Sequence, residues 1–473
     1  MNQNPLPGAA PGLFPSAAER VRVDEWLNVE LHRARLRIQA GAVAPTLDMT
    51  AFCAELNAYD FDKPKPLEEM LRWTIERMEH GIVQMSNPRY FGLFNPGPNF
   101  PAQCADRITS VFNPQLASSG SSPVPVALER HLIRAIAQRA GVGVGGEATG
   151  HFATGGSESN YTALLCALTG AHQGFAGDGA RAFAGPVKIY ASRDCHMAWL
   201  KAAHQAGVGR AALHLVDTDG RGRMDPQALL RAIAADRAHG AVPVMVVATA
   251  GTTGAGMIDP LRACADIAQQ EKLWYHIDAA WGGAALASNR LRKLLDGIER
   301  GDSITIDAHK WLATTMGCAV FLTRHGHLLS ESFHASTSFM PSSVAGVDPY
   351  LNSMQWSRRF LGLRLFLALA TAGWDGLGAH VERSVEVVER VKEQLVPLRW
   401  TIANDSGLAV LAAVPPPELG PVRDLVRRVV ASGRAWVAPT TFEGRDVVRI
   451  CATHGETTLE DVNALVAVLN ERR

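Results

Sequence analysis

A glycine pair followed by serine, within residues 154–160, has the composition of an anion site. The segment reads Thr-Gly-Gly-Ser-Glu-Ser-Asn and stands between a short apolar run and a helical pattern. Glycines let the backbone close on an anion, the free amides of a first helical turn point at it, and Ser157 can add a hydroxyl. The sequence therefore predicts a phosphate cradle here, and an ordinary strand-to-helix turn with a serine cap is the alternative.

A carboxylate and a lone lysine each follow a further apolar run. Asp278 ends residues 273–278 and precedes small residues, a position at which open α/β sheets bind ligands. It can hold a proton on a heteroaromatic nitrogen, or simply cap a helix. Lys310 stands just past residues 303–306, where a desolvated lysine is a nucleophile for carbonyls, although most lysines are solvated surface charges. A lysine Schiff base opposed by an aspartate on the pyridinium nitrogen is the protein's side of pyridoxal phosphate (PLP) chemistry.

Two other patterns carry less weight. Residues 141–146 satisfy the dinucleotide pattern G-x-G-x-x-G, but a helical pattern precedes them and a strand follows. Because a dinucleotide site needs the reverse order, we interpret them as a flexible loop. His325 and His327 lack a third nearby ligand of suitable spacing, so a solvated turn is favoured and no metal site is predicted.

The elements that must position these residues alternate between helices and strands. Helical patterns cover residues 17–39, 49–59 and 67–80, after a Pro- and Gly-rich tail at 1–15. Strands are predicted at 151–153, 187–192, 242–250, 273–278, 303–306 and 318–323. Because these runs are apolar on both faces and are separated by helix-length connections, they predict a mostly parallel sheet covered by helices.

The C-terminal part predicts a second, smaller unit. A long helical stretch through residue 396 is stopped by Pro397, and strand-like segments follow at 400–402, 408–413 and 447–452, with helices near 421–431 and 458–470. We therefore divide the chain into an N-terminal helical segment (1–85), a large α/β domain (86–356) and a small C-terminal α+β domain (357–473).

Composition bounds the class of protein. Of 473 residues, 47% are hydrophobic and 19% charged, a balance that allows a large core and argues against disorder. The 46 basic and 46 acidic residues cancel, so neither nucleic-acid nor membrane binding is predicted. The seven cysteines stand singly, and the N-terminus lacks the pattern of a signal peptide. These features predict a soluble cytoplasmic protein.

Taken together, the motifs resemble one enzyme family. The cradle, Asp278 and Lys310 occur in the order found in fold-type I PLP enzymes, and residues 278–283, 302–303 and 307–312 closely resemble the group II amino-acid decarboxylases, which include the aromatic-amino-acid and glutamate decarboxylases. The likeness extends from residues 87–91 through 113–115, 250–254 and 357–360 to 448–450. It implies the fold-type I PLP-dependent transferase fold, with a mostly parallel seven-stranded-type sheet in the large domain, and PLP as cofactor.

The resemblance also implies roles for individual positions. Lys310 matches the Schiff-base lysine, Asp278 the partner of the pyridine nitrogen, and His196 the histidine that stacks on the cofactor ring, although a surface helix residue is the alternative for His196. The remaining cofactor-binding positions are Gly156, Ser157 and His309 on the phosphate side, Thr253 beside Asp278, and Ala280 beneath the ring. Asp307 stands where some members have Asn.

Further positions concern the substrate and its protonation. Family members carry, on a mobile loop, a tyrosine that protonates the substrate carbon, and Tyr350 in residues 335–357 is the matching candidate; a tyrosine packed at a helix entry is the alternative. Phe94 and Asn95 fall where relatives line the side-chain pocket. Arg449 either binds a substrate carboxylate or pairs structurally.

The predicted function is α-decarboxylation of an L-amino acid, with a lean to an aromatic side chain. A carbon–carbon lyase and an aldehyde-forming oxidative decarboxylase are alternatives within the same cofactor class, and a non-catalytic scaffold is the alternative outside it. The family places its active site at a subunit boundary, and the helices of residues 17–80 need a surface on which to bury their apolar stripe. A homodimer with the active site at the subunit interface is therefore predicted.

Overall fold

Three helices open the chain. The computed structural model describes residues 13–143, 148–335 and 348–471. The first helices are α1 (Ala17–Ala40), α2 (Met49–Asn57) and α3 (Leu67–Gly81), which confirms the predicted helices closely. The Asp48 carboxylate accepts hydrogen bonds from the amides of Thr50 and Ala51 and thereby caps α2.

A seven-stranded sheet is built from strands within residues 149–323. Its strands are β1 (Thr149–Ala153), β2 (Val187–Ser192), β3 (Leu213–Val216), β4 (Val242–Thr249), β5 (Trp274–Asp278), β6 (Ser303–Asp307) and β7 (Ala319–Thr323). Their order is β1-β7-β6-β5-β4-β2-β3. β7 runs antiparallel to both its neighbours, whereas the pairs from β6 to β3 are parallel. The prediction of a mostly parallel seven-stranded sheet is confirmed.

Eight further α-helices lie before, between and directly after these strands in the described part of the chain. They are α4 (Phe100–Phe112), α5 (Pro123–Arg139), α6 (Gly156–Ala171), α7 (Phe175–Asp178), α8 (Ala198–Gln205), α9 (Pro226–Ala238), α10 (Leu261–Glu271) and α11 (Gly326–Phe333). Every residue of β5 and β6 is buried, as expected of strands covered on both faces. α5 is followed by β1, so the glycine-rich stretch at 141–146 has the helix-then-strand order expected of a loop, and residues 144–147 lie outside the described part of the chain.

The C-terminal part has its own sheet. Helix α12 (Gly362–Leu395) leads to β8 (Thr401–Ile402), β9 (Val410–Val414), α13 (Val422–Ala431), β10 (Ala438–Phe442), β11 (Arg445–Cys451) and α14 (Leu459–Leu469). The strand order is β10-β11-β9-β8, with all pairs antiparallel. No helix in the described ranges is both long and apolar enough to cross a membrane.

Three features depart from the sequence prediction. The edge strands β3 and β10 were not expected, because each exposes part of its length and neither forms a continuous apolar run. The predicted long helix is not regular throughout: Gly373, inside α12, has φ 66° and ψ −179°, so the chain bends there.

Candidate active site

Several parallel strands of the seven-stranded sheet end beside one cavity. β5 ends at Asp278, β6 ends at Asp307, and α6 begins at Gly156 shortly after β1. The cavity has a volume of about 290 Å³. Of the residues predicted for the site, its lining contains Phe94, Gly156, Ser157, His196, Thr253, Asp278, Ala280, His309 and Lys310. The topology therefore brings together side chains that lie up to 216 positions apart in the sequence.

The turn before α6 has room for a ligand. A Cβ added to Gly155 would meet no atom within 4 Å, whereas one added to Gly156 would lie 2.9 Å from Asp307 Oδ2. Glu158 fixes the turn: its carboxylate accepts hydrogen bonds from the Thr154 amide and hydroxyl at 2.8 and 2.6 Å. An open backbone at the N-terminus of a sixteen-residue helix has the donors that an anion requires.

Asp278 is buried and held by two donors. Its Oδ2 accepts a hydrogen bond from Asn160 Nδ2 at 2.8 Å, and its Oδ1 accepts one from the Ala280 amide at 3.2 Å. Asp278 is only 5% exposed and is the last residue of a buried strand. Both carboxylate oxygens therefore have a hydrogen-bond donor from the protein.

Lys310 lies against a second carboxylate. Its Nζ is 3.0 Å from Asp307 Oδ2, and the Lys310 amide donates to the Asp307 carbonyl oxygen at 3.1 Å. The other oxygen of this carboxylate, Oδ1, is buried and has no hydrogen-bond partner among the described residues. Asp307 thus presents one satisfied and one unsatisfied oxygen next to the glycine turn.

Two histidines line the same cavity in different states of exposure. His309 is buried, and its Nδ1 lies 3.0 Å from the Cys318 carbonyl oxygen and 3.2 Å from the Cys318 amide nitrogen. His196 is exposed, and its Nδ1 accepts a hydrogen bond from the Ala198 amide at 3.1 Å. The backbone thereby fixes the orientation of the His196 ring and leaves Nε2 available.

An aromatic stack forms one wall. The Phe94 ring stacks on Trp281 at 4.1 Å between centroids, and Trp281 stacks on Trp311 at 4.5 Å. The Arg449 guanidinium lies 4.4 Å from the centre of the Phe94 ring. Asn95 contacts Met316, a lining residue, with Nδ2 3.1 Å from Sδ. Among the predicted substrate residues, Phe94 therefore lines the cavity, whereas Asn95 and Arg449 contact lining residues without being part of the described lining.

Arg449 makes contacts within the protein, as expected if its role is structural. Its Nε donates to the Thr253 carbonyl oxygen at 2.7 Å, and its Nη1 donates to the Gly92 carbonyl oxygen. Nη2 is buried without a partner in the described structure. The predicted contact of Arg449 with a substrate carboxylate stays a prediction.

Tyr350 does not join the other site residues within its own chain. It lies in a short 3₁₀ turn (Pro349–Leu351), where its amide donates to the Ala117 carbonyl oxygen at 3.1 Å and its ring packs 4.8 Å from Trp356. It is not among the described residues that line the cavity. Most of the predicted loop, residues 336–347, falls outside the described ranges.

Asn160 and Asp307 line the cavity, but neither was assigned a cofactor role from the sequence. Asn160, which holds Asp278, stands one helical turn after Gly156, and its position on the cradle side of α6 is a signal that could have found it. Asp307 was noted only as a departure from Asn. His325, set aside as a metal ligand, bonds to Asp302 at 2.8 Å, and the described residues hold no group of three or more side chains arranged to bind a metal ion.

Comparisons with known proteins identify the family of this chain. A family model described as the pyridoxal-dependent decarboxylase conserved domain matches residues 53–410. The cysteine sulfinic acid decarboxylase of Mus musculus is 33% identical over 321 residues, which are 67% of this chain and 64% of that protein. An acidic amino acid decarboxylase of Xenopus tropicalis is 31% identical over 339 residues, which are 71% of this chain and 65% of that protein. The chain thus spans slightly less than two thirds of the length of these curated relatives.

Solved structures extend the likeness over nearly the whole chain. The crystal structure of mouse CSAD superposes with a TM-score of 0.89 at 26% identity, covering 96% of this chain and 98% of that one. The crystal structure of Oryza sativa TDC with PLP and tryptamine gives a TM-score of 0.90 at 25% identity, with coverage of 96% and 98%.

The fold and the matched residues define a PLP-dependent fold-type I protein. More narrowly, this chain belongs to the pyridoxal-dependent decarboxylase family. The predicted family, fold and cofactor are confirmed, and the predicted class of enzyme, a PLP-dependent carboxy-lyase, is that of the family.

Proposed function

We propose that this protein is an α-decarboxylase that uses PLP to convert an L-amino acid to an amine and CO₂. The observation that carries the proposal is the convergence of Lys310, Asp278 and the N-terminus of α6 on one cavity. The cradle fits the cofactor's phosphate because a Cβ at Gly156 would fill it, and the buried carboxylate of Asp278 fits the ring nitrogen. The family match at residues 53–410 includes all three positions.

The surroundings of each residue support a specific role. Bound PLP supplies an electron sink for the pair released when the bond to the substrate carboxylate breaks. Lys310 provides the amine for covalent attachment, Asp278 keeps a proton on the pyridine nitrogen, and Ser157 with the first-turn amides of α6 binds the phosphate. His196, which lines the cavity, would lie against the ring and orient the carboxylate that is lost. We assign supporting contacts to Thr253, Ala280 and His309.

Protonation of the substrate carbon requires a donor after CO₂ has left. We propose Tyr350 for this step, acting at the site of the partner subunit in a homodimer. Its phenol has the required O–H, and its absence from the described lining of its own chain's cavity supports action across an interface.

Two substrate classes deserve direct comparison. The stack of Phe94 on Trp281 supports an aromatic side chain, and Lys310 is the only Lys or Arg among the described lining residues, leaving no second such cation for an acidic side chain. The relatives at 31–33% identity, by contrast, are named for cysteine sulfinic acid or acidic amino acids. Aromatic and acidic L-amino acids are therefore the first two groups to test.

The test is a substrate screen with product analysis. Purified protein with added PLP is offered each common L-amino acid, and CO₂, amine, aldehyde and ammonia are measured. We expect equal amounts of CO₂ and amine from one class of substrate, and neither from the Lys310→Ala variant. Aldehyde with ammonia in place of amine would support the oxidative decarboxylase, cleavage without CO₂ would support the lyase, and no reaction with any amino acid would contradict the proposal.

A further inference from the structure

We propose that His276 and Asn160 are positioning residues that keep the Asp278 carboxylate ionised and oriented, through a chain of hydrogen bonds that starts at Trp274. The inference rests on the proposed function only in the role given to Asp278. Neither His276 nor Trp274 lines the cavity, so both act through other residues.

Four hydrogen bonds connect Trp274 to Asp278. Trp274 Nε1 donates to Ser303 Oγ at 2.9 Å, and Ser303 Oγ lies 2.7 Å from His276 Nδ1. His276 Nε2 lies 3.1 Å from Asn160 Oδ1, and Asn160 Nδ2 donates to Asp278 Oδ2 at 2.8 Å. Asn160, His276 and Ser303 are each at most 3% exposed, so solvent does not compete for these bonds.

The fold aligns the members of the chain. Trp274, His276 and Asp278 occupy alternate positions of β5, so their side chains share one face of the sheet. Ser303 stands on the neighbouring strand β6, directly paired with His276, and Asn160 reaches over from α6. Trp199 packs edge-on against the His276 ring at 5.4 Å between centroids.

The chemistry of the two ends sets the direction of every bond. A carboxylate only accepts, so Asn160 must turn its Nδ2 toward Asp278 and its Oδ1 toward His276. His276 must then carry its proton on Nε2. Burial lowers the pKa of His276 to about 4, so the ring is neutral at pH 7 and its bare Nδ1 accepts from the Ser303 hydroxyl. The indole of Trp274 can only donate, and it fills an acceptor position of Ser303.

The four hydrogen bonds therefore hold the Asn160 amide in place as a donor to Asp278. A carboxylate that loses a donor binds a proton more tightly. If the chain is broken, the proton shared with a pyridine nitrogen moves toward Asp278, and the ring becomes a weaker electron sink. A purely structural role of His276 would change stability without moving this proton.

The experiment follows the ring nitrogen directly. Each protein is loaded with PLP labelled with ¹⁵N in the ring, and the nitrogen chemical shift is recorded by NMR. We expect a protonated nitrogen in the wild type and a shift toward neutral pyridine in His276→Phe, with turnover about tenfold lower because Asn160 loses the hydrogen bond that orients its amide toward Asp278. His276→Gln, whose amide can still donate to Asn160, should restore most of the wild-type shift. His151→Phe removes another buried histidine, which lies on β1 and takes no part in this chain of hydrogen bonds, and it should leave the nitrogen shift unchanged.

The outcomes separate this inference from the proposed function. A wild-type nitrogen signal retained in both His276→Phe and Ser303→Ala would overturn the inference and leave the decarboxylase proposal intact. If His276→Phe does not fold, Ser303→Ala alone decides, because it removes only a hydroxyl; an unchanged shift then overturns the inference. A wild-type protein that binds no PLP would contradict the proposed function and, with it, this role of Asp278.

Discussion

Asp278 combines burial with a charge that the proposed reaction needs. Replacing it with asparagine keeps the size of the side chain but removes the negative charge, so the fold should persist while the pyridine nitrogen loses its proton. We expect Asp278→Asn to lower turnover about 10²- to 10³-fold, the range typical of losing one preorganised electrostatic contact. Steady-state amine formation measures the effect, and the thermal unfolding midpoint serves as the control for folding. Near-normal turnover in a well-folded variant would remove Asp278 from the mechanism.

Tyr350 gives a prediction about products rather than rate alone. Tyr350→Phe keeps the packing against Trp356 but removes the hydroxyl that can donate a proton. The substrate carbon would then stay unprotonated for longer after CO₂ has left, and in air two electrons would pass from it to O₂, which is reduced to H₂O₂. Hydrolysis by water would then release aldehyde and ammonia. We expect amine to fall more than CO₂ when amine, aldehyde, ammonia and CO₂ are measured side by side. An unchanged amine yield at an unchanged rate would return Tyr350 to a structural role.

The residues predicted to line the cavity could be found from the sequence when they directly follow an apolar run. Asp278 and Lys310 do so, and the topology of a parallel sheet then brings them to the same edge. The linkage of Asn160 to Asp278 could not be predicted, because it depends on a side-chain hydrogen bond between α6 and β5. The contacts of Arg449 depend in the same way on the chain near Gly92 and Thr253, which is distant in sequence.

At the scale of the elements, burial decides what the sequence predicts. β4 is buried from Val244 onward and consists almost entirely of apolar residues, so its sequence predicts a buried strand. β10 alternates between buried and exposed residues and contains Pro439, a residue typical of edge strands, so it carries a weaker signal. The bend at Gly373 was also missed, because a single glycine costs a helix only about 1 kcal/mol and does not by itself predict a break.

The bend in α12 can be tested by adding one methyl group. A Cβ at Gly373 would meet no atom within 4 Å, but its φ of 66° with ψ −179° is a conformation that essentially only glycine adopts. We expect Gly373→Ala to lower the free energy of unfolding by roughly 1–3 kcal/mol, measured by urea denaturation.

A matched variant separates backbone strain from crowding. A methyl group added at Gly177 would also meet open space, yet Gly177 is absent from the glycines with positive φ, so Gly177→Ala should be neutral or slightly stabilising. Equal effects of the two substitutions would show that backbone conformation at Gly373 does not matter.

At the scale of the whole molecule, an apolar surface supports the proposed homodimer. Around α4 the exposed fractions are 65% for Phe100, 79% for Val111, 77% for Phe112 and 67% for Val124. The Asn99 amide donates to the Ala313 carbonyl oxygen, which ties the start of α4 to the segment just after Lys310. A partner that covers this surface would therefore approach the cavity.

Light scattering on dilute, active enzyme tests the assembly. We expect a dimer for the wild type and a shift toward monomer, with loss of activity, in the double variant Val111→Glu, Phe112→Glu, because two charges would have to be buried. Leu459→Glu introduces a charge at another exposed apolar residue, 60% exposed at the start of α14, and should leave the dimer intact. A fully active wild-type monomer would contradict the proposal.

The central claim is that Lys310 attaches the cofactor within a decarboxylase site. Borohydride reduction of the protein with PLP makes such a link permanent, and proteolysis with mass spectrometry then locates it. We predict a yellow wild-type protein whose reduced cofactor maps to the peptide containing Lys310, and a Lys310→Ala variant with no covalent adduct. An adduct on another lysine, or one that persists in Lys310→Ala, would contradict the account.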